Sequence, residues 1–377
     1  MKVIIAIDSF KGSLSSIEAG NAACEGVKNV CDAQIVVKSV ADGGEGTIEA
    51  LTDGLGGEYV YLDVTGPLGK KVSAKYGILK NDKTAVIEMA QAAGITLLKD
   101  EKLNPMIATT YGVGEMILDA IERGCRNFII GIGGSATTDG GVGMLQALGY
   151  EFIDKNGISI GPGVEHLDEI EYISEKKVNK IIKKCHFQVA CDVKNPLYGK
   201  EGAVYVYGSQ KGIKEEEKDL LDRKMIHYAQ KTKEYTGNDY SLIEGAGAAG
   251  GLGFAFISYL PYAELKSGID IILNAVQLEK EIKDADIVIT GEGRIDSQTA
   301  MGKLPSGIAR IAKKYGVKVI AVAGSVADDA YECNEIGINA IFSIMKQPVT
   351  LEKAMIPENT KRNIKLTVEQ IFRLLCN

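Results

Sequence analysis

The residues best suited to chemistry lie in a glycine-rich stretch between Asn127 and Gly143, which reads NFIIGIGGSATTDGGVG. Its first residues are apolar and predict a buried strand, and an apolar run typical of a helix follows the glycines. Glycines let main-chain N–H groups approach an anion, hydroxyls add donors, and the free N–H groups of a helix start carry partial positive charge. A tight strand-to-helix crossover is the structural alternative. The candidate phosphate-binding residues are Gly133, Gly134, Ser135, Ala136 and Thr137.

Polar loops also follow three predicted strands elsewhere in the chain. Ligands of an open parallel sheet bind at the carboxyl ends of its strands, where loops and helix starts gather. Any one Asp or Ser here could instead be an ordinary helix N-cap, but three such loops at one edge favour a binding site. The residues concerned are Asp8, Ser9, Lys11 and Ser13 in the first loop, Asp42, Gly43, Gly44 and Glu45 in the second, and Glu292, Arg294 and Asp296 in the third.

The cations in or near these loops are candidates for binding an anion. Lys11, Arg294 and Lys303 could face a phosphate or a substrate carboxylate, and the guanidinium of arginine can bind either group through two hydrogen bonds. A solvated surface position is the alternative for Lys303. The glycine-rich stretch itself contains no Lys or Arg. We therefore expect the cations that act on a ligand bound at this stretch to be Lys11 and Arg294, which belong to a different predicted domain.

A separate carboxylate, Asp192, follows the apolar run from Phe187 to Ala190 and precedes the turn sequence Asn195-Pro196. A carboxylate fixed in this way could act as a general base or as a metal ligand. A plain Asx-turn is the structural alternative.

The elements that must position these residues repeat strand, polar loop and helix at both ends of the chain. Between them, residues 71–79 and 84–89 read as paired antiparallel strands instead. The pattern predicts an α/β protein in which a doubly wound parallel-sheet domain is interrupted by a second α/β domain. We expect the first domain to comprise residues 1–66 and 285–377, and the inserted domain to comprise residues 67–284 and to carry the glycine-rich loop.

Other motifs argue for or against particular chemistries. Gly131, Gly133 and Ala136 match G-x-G-x-x-A, with Asp154 nearly at the distance expected in a dinucleotide-binding unit, but five residues intervene before any long helix could start. The glycines from Gly245 to Gly253 favour close helix packing. Gly302-Lys303 is followed by leucine, so no Walker-type loop is present, and no nucleophile elbow occurs.

Composition limits the classes further. The 377 residues are 45% hydrophobic and carry 43 Lys and Arg against 50 Asp and Glu, a net charge of -7 without a basic block. Nucleic acid is therefore not an expected partner. Seven scattered cysteines without a C-x-x-C pair, and no apolar run long enough for a signal peptide or membrane span, predict a cytoplasmic protein.

Taken together, these stretches resemble the bacterial glycerate kinase family, in which a flavodoxin-like domain carries an inserted domain likened to restriction endonucleases. The resemblance covers nearly the whole chain. It implies transfer of the γ-phosphoryl group of ATP to a hydroxyl of D-glycerate with Mg²⁺. The resemblance favours 2-phosphoglycerate over 3-phosphoglycerate as the product, and the spacing of the residues does not distinguish the two. It rests on IDSFKGSLSS at 7–16, ADGGEGT at 41–47, GIGGSATTDGG at 131–141, ACDVKNPLYG at 190–199, GAGAAGGLG at 245–253 and DIVITGEGRIDSQTAMGKLPSG at 286–307.

Under this resemblance, phosphoryl transfer needs charge neutralisation, a bridging metal and a group that orients the attacking hydroxyl. We expect a site between the two domains. The catalytic candidates are Asp192 as base, Lys11 and Arg294, and Asp8, Asp42 and Asp296 compete with Asp192 for the role of base and for the metal. The substrate-binding candidates are Asp8, Ser9, Lys11, Arg294 and Asp296. The nucleotide candidates are Gly133 to Thr137 together with Asp42, Gly43, Gly44 and Glu45, and the metal candidates are Asp42, Asp192 and Asp296.

Two other function classes stay open at this point. An NAD-dependent hydroxy-acid dehydrogenase would use the G-x-G-x-x-A match, and a non-catalytic hydroxy-acid-binding protein would use the loops without chemistry. The sequence does not fix the oligomeric state, and a homo-oligomer is compatible with it.

Overall fold

The computed structural model describes residues 1–41, 43–44, 46–98 and 103–376. Among these residues no helix combines the length and the apolar character needed to cross a bilayer. The strands are β1 (Lys2–Ile7), β2 (Gln34–Val37), β3 (Glu58–Thr65), β4 (Lys71–Ile78), β5 (Ala85–Glu88), β6 (Asn127–Gly131), β7 (Glu151–Ile153), β8 (Tyr172–Ser174), β9 (His186–Ala190), β10 (Ala263–Lys266), β11 (Ile287–Ile295), β12 (Lys318–Val326) and β13 (Ala340–Ser343). The helices are α1 (Ser16–Lys28), α2 (Thr47–Gly54), α3 (Ala90–Ala93), α4 (Tyr111–Glu122), α5 (Val142–Ala147), α6 (Ala203–Tyr207), α7 (Lys218–Thr236), α8 (Ala248–Tyr259), α9 (Gly268–Ala275), α10 (Leu278–Ile282), α11 (Ser297–Ala300), α12 (Leu304–Tyr315), α13 (Glu332–Glu335), α14 (Leu351–Ala354) and α15 (Pro357–Leu375).

The chain divides into two compact units, and the first of them is discontinuous. It combines the residues up to Gly56 with those from Ile269 onward, and the second unit runs from Gly57 to Gly268. The two points at which the chain crosses between the units both come earlier than the sequence pattern predicts. At the first crossing, β3 pairs with β4 along its whole length, from Glu58↔Ile78 to Thr65↔Lys71. β3 lies within residues 1–66, which the sequence pattern assigns to the first domain, but its pairing places it in the sheet of the second unit.

The second crossing has an equally local cause. Helices α9 and α10 precede β11, and a Cβ added at Gly307 of α12 would lie 2.6 Å from the side chain of Ile269. Because α9 packs this closely on α12, the segment before β11 belongs to the first unit rather than to the insertion.

The sheet of the first unit is parallel and doubly wound. Its strand order is β2-β1-β11-β12-β13, and all four neighbouring pairs are parallel. One face buries Val3, Ile5 and Ile7 against α1 and α15. The order of strands along the chain reverses between β1 and β11, which makes that pair the topological switch point, the usual place for a ligand in such a sheet.

The second unit is built on a mixed sheet of order β10-β9-β6-β5-β4-β3, with a separate pair formed by β7 and β8. β5, β6, β9 and β10 are parallel, whereas β4 is antiparallel to both β3 and β5, as the alternation of 71–79 and 84–89 predicts. Phe128 of β6 stacks on Phe187 of β9 with ring centroids 4.7 Å apart, in the core of this unit. The predicted fold class is confirmed.

Candidate functional site

A cavity of about 780 Å³ lies at the carboxyl ends of the parallel strands of the first unit. It opens at the switch point, between the loop after β1 and the end of β11. The structure thus brings together four of the predicted substrate-binding residues and adds Glu292 and Lys303. These residues are Asp8, Ser9, Lys11, Glu292, Arg294 and Lys303.

The loop after β1 is fixed by short hydrogen bonds. The amide of Asp8 donates to the carbonyl of Gly291 (2.9 Å), and its carboxylate accepts the amide N–H of Ser9 (2.7 Å). The side chain of Asp8 is buried, while that of Lys11 is exposed. Within the described part of the chain, no ion pair or side-chain hydrogen bond of Lys11 is found. Its ammonium group is therefore available to an anion in the cavity.

The end of β11 carries a network of charged side chains. Arg294 Nε lies 3.4 Å from Asp296 Oδ2, and Lys303 Nζ lies 3.7 Å from Glu292 Oε2 and 3.8 Å from Asp296 Oδ1. The guanidinium side chain of Arg294 is 67% exposed. Ion pairs this long contribute little to stability, and the Arg294 side chain is largely exposed, so an anionic ligand can compete for both cations.

Asp296 has a structural role in this network. Its carboxylate accepts the N–H of Gln298 (3.1 Å), and it is the N-cap of α11 in a capping box with Thr299. Asp296 does not line the cavity, although it lies beside two residues that do. Asp296 is therefore an ordinary helix N-cap, which is the structural alternative for residues of such loops. Direct binding of substrate or metal by Asp296 remains a prediction.

The predicted nucleotide loop after β2 can be described only in part. Gly43 lies in a bend with a positive φ of 90°. The carbonyl of Gly44 accepts a hydrogen bond from the hydroxyl of Thr47 (2.7 Å) at the start of α2. Asp42 and Glu45, the two carboxylates predicted there, lie outside the described residues.

The glycine-rich loop of the second unit is open over only part of the predicted range. Gly133 and Gly134 are exposed and Ser135 is half-buried, whereas Ala136 and Thr137 are buried. The amide of Ala136 donates to the carbonyl of Ala93 (2.9 Å), so it is not available to a ligand. Any phosphate bound here would therefore meet the backbone at Gly133 to Ser135.

The start of α5 does not contribute to such a site. Asp139 is fully buried, and its carboxylate accepts the amides of Gly141 (3.0 Å) and Gly143 (3.2 Å). It also accepts the amide (2.7 Å) and the hydroxyl (2.8 Å) of Thr110. Burial raises the pKa of Asp139, and these hydrogen bonds oppose the rise. The expectation of free N–H groups at this helix start is wrong, because a carboxylate of the protein already occupies them.

The glycine-rich loop also has a cation from its own unit, which the sequence analysis missed. Lys211 is only 2% exposed, and its Nζ donates to the carbonyl of Thr137 (2.6 Å). Lys211 is buried and contacts the backbone of the loop, so the expectation that Lys11 and Arg294 supply the cations for a bound ligand remains a prediction. The two residues are 74 positions apart, and nothing in the polar turn Ser209 to Gly212 indicates the pairing.

Asp192 lies next to the open part of this loop. β6 and β9 are parallel neighbours, and Gly131 opposite Ala190 is their last pair. Gly133 and Asp192 each lie two residues beyond that pair. The side chain of Asp192 is exposed, and its Oδ1 accepts the N–H of Gly268 (3.1 Å). The second unit thus places a carboxylate beside the candidate phosphate loop. Burial raises the pKa of the adjacent Cys191 thiol, which argues against a nucleophilic role for it.

The second glycine-rich stretch, from Gly245 to Gly253, packs against the first. Ala249, Gly250 and Gly251 all have positive φ inside α8, and the carbonyl of Gly250 accepts the amide of Gly140 (2.9 Å). A Cβ at Gly250 would lie 2.1 Å from the carbonyl oxygen of Thr137. This stretch therefore serves close packing, as its sequence favours.

The dinucleotide interpretation of the first stretch has little support from the geometry. Helix α5 has six residues and begins only at Val142. Asp154, the expected ribose ligand, uses its carboxylate in a local turn with the amides of Asn156 (2.9 Å) and Ile158 (2.8 Å).

The residues that could hold a metal ion are dispersed. Among the residues that the structure describes, no group of three His, Cys, Asp or Glu side chains has metal-binding geometry. Magnesium in phosphoryl transfer is often held by one or two carboxylates together with substrate phosphates and water. The carboxylates of Asp8 and Glu292 in the cavity, and of Asp192 beside the glycine-rich loop, suit that mode of binding.

The fold and these sites define a two-unit α/β protein with a cationic cavity at the switch point of one sheet and an exposed glycine-rich loop on the other. Residues 3–376 match the model of the glycerate kinase family. The chain is 47% identical over 375 residues to the glycerate kinase of Bacillus subtilis (strain 168), covering 98% of each chain. It is 48% identical over 355 residues to the glycerate 2-kinase of Escherichia coli (strain K12), covering 94% of this chain and 93% of that protein.

A solved structure has the same fold over the whole of this chain. The crystal structure of a protein assigned as glycerate kinase 2 from Salmonella typhimurium LT2 matches with a TM-score of 0.91 at 42% identity, over 100% of this chain and 98% of the other. The chain belongs to the glycerate kinase family.

Proposed function

We propose that this protein is an ATP-dependent glycerate kinase, which transfers the γ-phosphoryl group of ATP to the 2-hydroxyl of D-glycerate. Its relatives named glycerate kinase and glycerate 2-kinase support the assignment. The observation that carries it within the molecule is the convergence of Lys11, Arg294 and Asp8 in one cavity at the switch point. A small anionic substrate needs such a site, with cations for its carboxylate and polar groups for its hydroxyls.

In this proposal the first unit binds glycerate. Arg294 can bind a carboxylate through two parallel hydrogen bonds, because its guanidinium group is planar and largely exposed. Lys11 supplies a mobile point charge that can follow the transferring phosphoryl group. Ser9 lines the same cavity and offers a hydroxyl to the substrate.

The second unit supplies the nucleotide loop and the base. The exposed backbone from Gly133 to Ser135 can approach the phosphates of ATP closely. Asp192 can accept the proton of the attacking hydroxyl, since its carboxylate is exposed and held by the amide of Gly268. Because these groups and the glycerate residues belong to different units, the proposed reaction depends on both.

Magnesium, when bound with ATP, neutralises charge on the phosphates. Asp8, Glu292 and Asp192 are the described carboxylates that we propose for holding it. Asp42 is also proposed, from the sequence alone.

The test is formation of ADP from ATP and Mg²⁺ in the presence of D-glycerate, compared with the same mixture without glycerate. Lys11→Met should lower kcat more than it raises KM, because Lys11 acts on charge that develops during transfer. Lys28→Met is the matched control, since Lys28 is an exposed lysine at the end of α1, away from the cavity. An effect of Lys11→Met confined to KM for glycerate would instead place Lys11 in ground-state binding. Absence of glycerate-dependent ADP formation, with NAD bound in place of ATP, would refute the kinase assignment.

A further inference from the structure

Lys211 is a buried cation that the proposed reaction does not use. It is 2% exposed, and the bond from its Nζ to the carbonyl of Thr137 is 2.6 Å long. Taking a lysine ammonium out of water costs several kcal/mol unless other groups compensate. Burial accordingly lowers the pKa of Lys211 to about 7, and the nearby carboxylate of Asp139 opposes that shift.

The glycine-rich loop is buried and closely packed where Lys211 contacts it. Thr137 and Thr138 have no exposed surface, and within the described residues their hydroxyls have no hydrogen-bond partner. Gly140 packs so closely on the ring of Tyr228 that a Cβ there would lie 2.6 Å from it. The inner side of the loop is therefore closely packed, and Lys211 is its cationic member.

The anchors of the loop are distributed along it. The carbonyl of Gly134 accepts the amide of Ile95 (2.9 Å), the amide of Ala136 donates to Ala93, and Asp139 fixes the exit of the loop into α5. Between these anchors, the carbonyl of Thr137 is held by Lys211. Without that bond, the peptide after Thr137 would carry a buried carbonyl that has lost its charged donor.

We propose that Lys211 is a positioning residue for the glycine-rich loop, which holds the Thr137 carbonyl so that the backbone of Gly133 to Ser135 stays set for the phosphates of ATP. This inference rests on the proposed function, in which that backbone binds the nucleotide. Lys211 acts through the loop, since its side chain is buried beneath it.

The test compares Lys211→Met with Lys218→Met in the full chain. Lys218 is a matched control: it is also buried in the second unit, but its Nζ pairs with Glu215 (2.6 Å) rather than with a residue of the glycine-rich loop. Both variants should lose stability. Only Lys211→Met should raise KM for ATP, by about tenfold or more, with KM for glycerate changed by less than about twofold.

Equal changes in both Michaelis constants, or an unchanged KM for ATP, would overturn the inference. If Lys211→Met does not yield folded protein, Lys211→Gln carries the same comparison, because its amide nitrogen lies one bond closer to the backbone and does not reach the Thr137 carbonyl as the lysine does.

Gly133→Ala, measured in parallel, tests the binding of ATP by the loop separately from the positioning role of Lys211. If Gly133→Ala leaves KM for ATP unchanged, the loop is not the nucleotide site, and both the assignment of the loop and the role of Lys211 fail. If Gly133→Ala raises KM for ATP but Lys211→Met does not, the nucleotide assignment is supported and the inference about Lys211 alone is refuted.

Discussion

Gly133→Ala is the substitution that distinguishes most sharply between a loop that binds phosphate and one that only connects a strand to a helix. An ideal Cβ at Gly133 meets no heavy atom within 4 Å, and the residue lies outside the left-handed region of φ. The folded protein can therefore accept the methyl group without a clash. Replacing an unstrained glycine by alanine stabilises a protein by roughly 0.4–1 kcal/mol, because the unfolded chain loses conformational freedom.

Nucleotide binding should respond in the opposite direction. A phosphate that uses the amides of Gly133 and Gly134 must approach the backbone at the point where the new methyl group stands. Overpacking of a close contact costs about 1–3 kcal/mol, and about 1.4 kcal/mol corresponds to a factor of ten in affinity. We therefore expect KM for ATP to rise by roughly 5- to 150-fold while the thermal midpoint stays the same or increases.

The assay is steady-state kinetics with ATP varied at saturating glycerate, together with thermal denaturation of both proteins. Gly134→Ala is the contrasting variant: φ at Gly134 is 72°, and an added Cβ would lie 3.5 Å from the Cβ of Ala90. That variant should lose about 1–2 kcal/mol of stability to left-handed strain. Unchanged kinetics in a fully folded Gly133→Ala protein would refute the reasoning and leave the loop a structural crossover.

Three further predictions follow from the geometry. Asp192→Asn should lower kcat by roughly 100- to 10,000-fold with an unchanged thermal midpoint, because asparagine can still accept the amide of Gly268 but cannot take a proton; full activity would exclude Asp192 as the base. Burial lowers the pKa of Lys211 from 10.5 to about 7, so between these pH values the unfolded chain binds more protons than the folded one. The free energy of unfolding, measured with urea, should therefore gain a component that rises with pH across this window, and Lys211→Met should remove it; identical pH profiles would contradict this. Asp139→Asn should cost about 1–3 kcal/mol in the same urea experiment, because the buried carboxylate accepts four hydrogen bonds and the substitution turns an amide N–H towards one of these donors; an unchanged free energy of unfolding would show that Asp139 is not an anchor of the loop.

Features set by neighbouring residues could be predicted from the sequence. β1 and its polar loop, and the helix that begins after Ser15, depend on local periodicity and on a capping box with Glu18, and the structure has both. The cavity residues Asp8, Lys11 and Arg294 were predicted together because the carboxyl ends of parallel strands share one edge.

Features set by distant pairing could not be predicted in this way. The alternation of β3 predicts a strand but does not say which sheet it joins, and its full antiparallel pairing with β4 places it in the second unit. The pairing of Lys211 with Thr137 joins positions 74 residues apart through a single hydrogen bond. The segment from Ser343 to Met355, which also lines the cavity, carries no motif that marks it.

The measurement that tests the central claim most directly is phosphorus NMR of the reaction of this protein with ATP, Mg²⁺ and D-glycerate. We predict conversion of ATP to ADP with equal formation of 2-phosphoglycerate. Formation of 3-phosphoglycerate would contradict the proposed attack by the 2-hydroxyl. Absence of any phosphoglycerate from folded protein would contradict the assignment of the protein as a glycerate kinase.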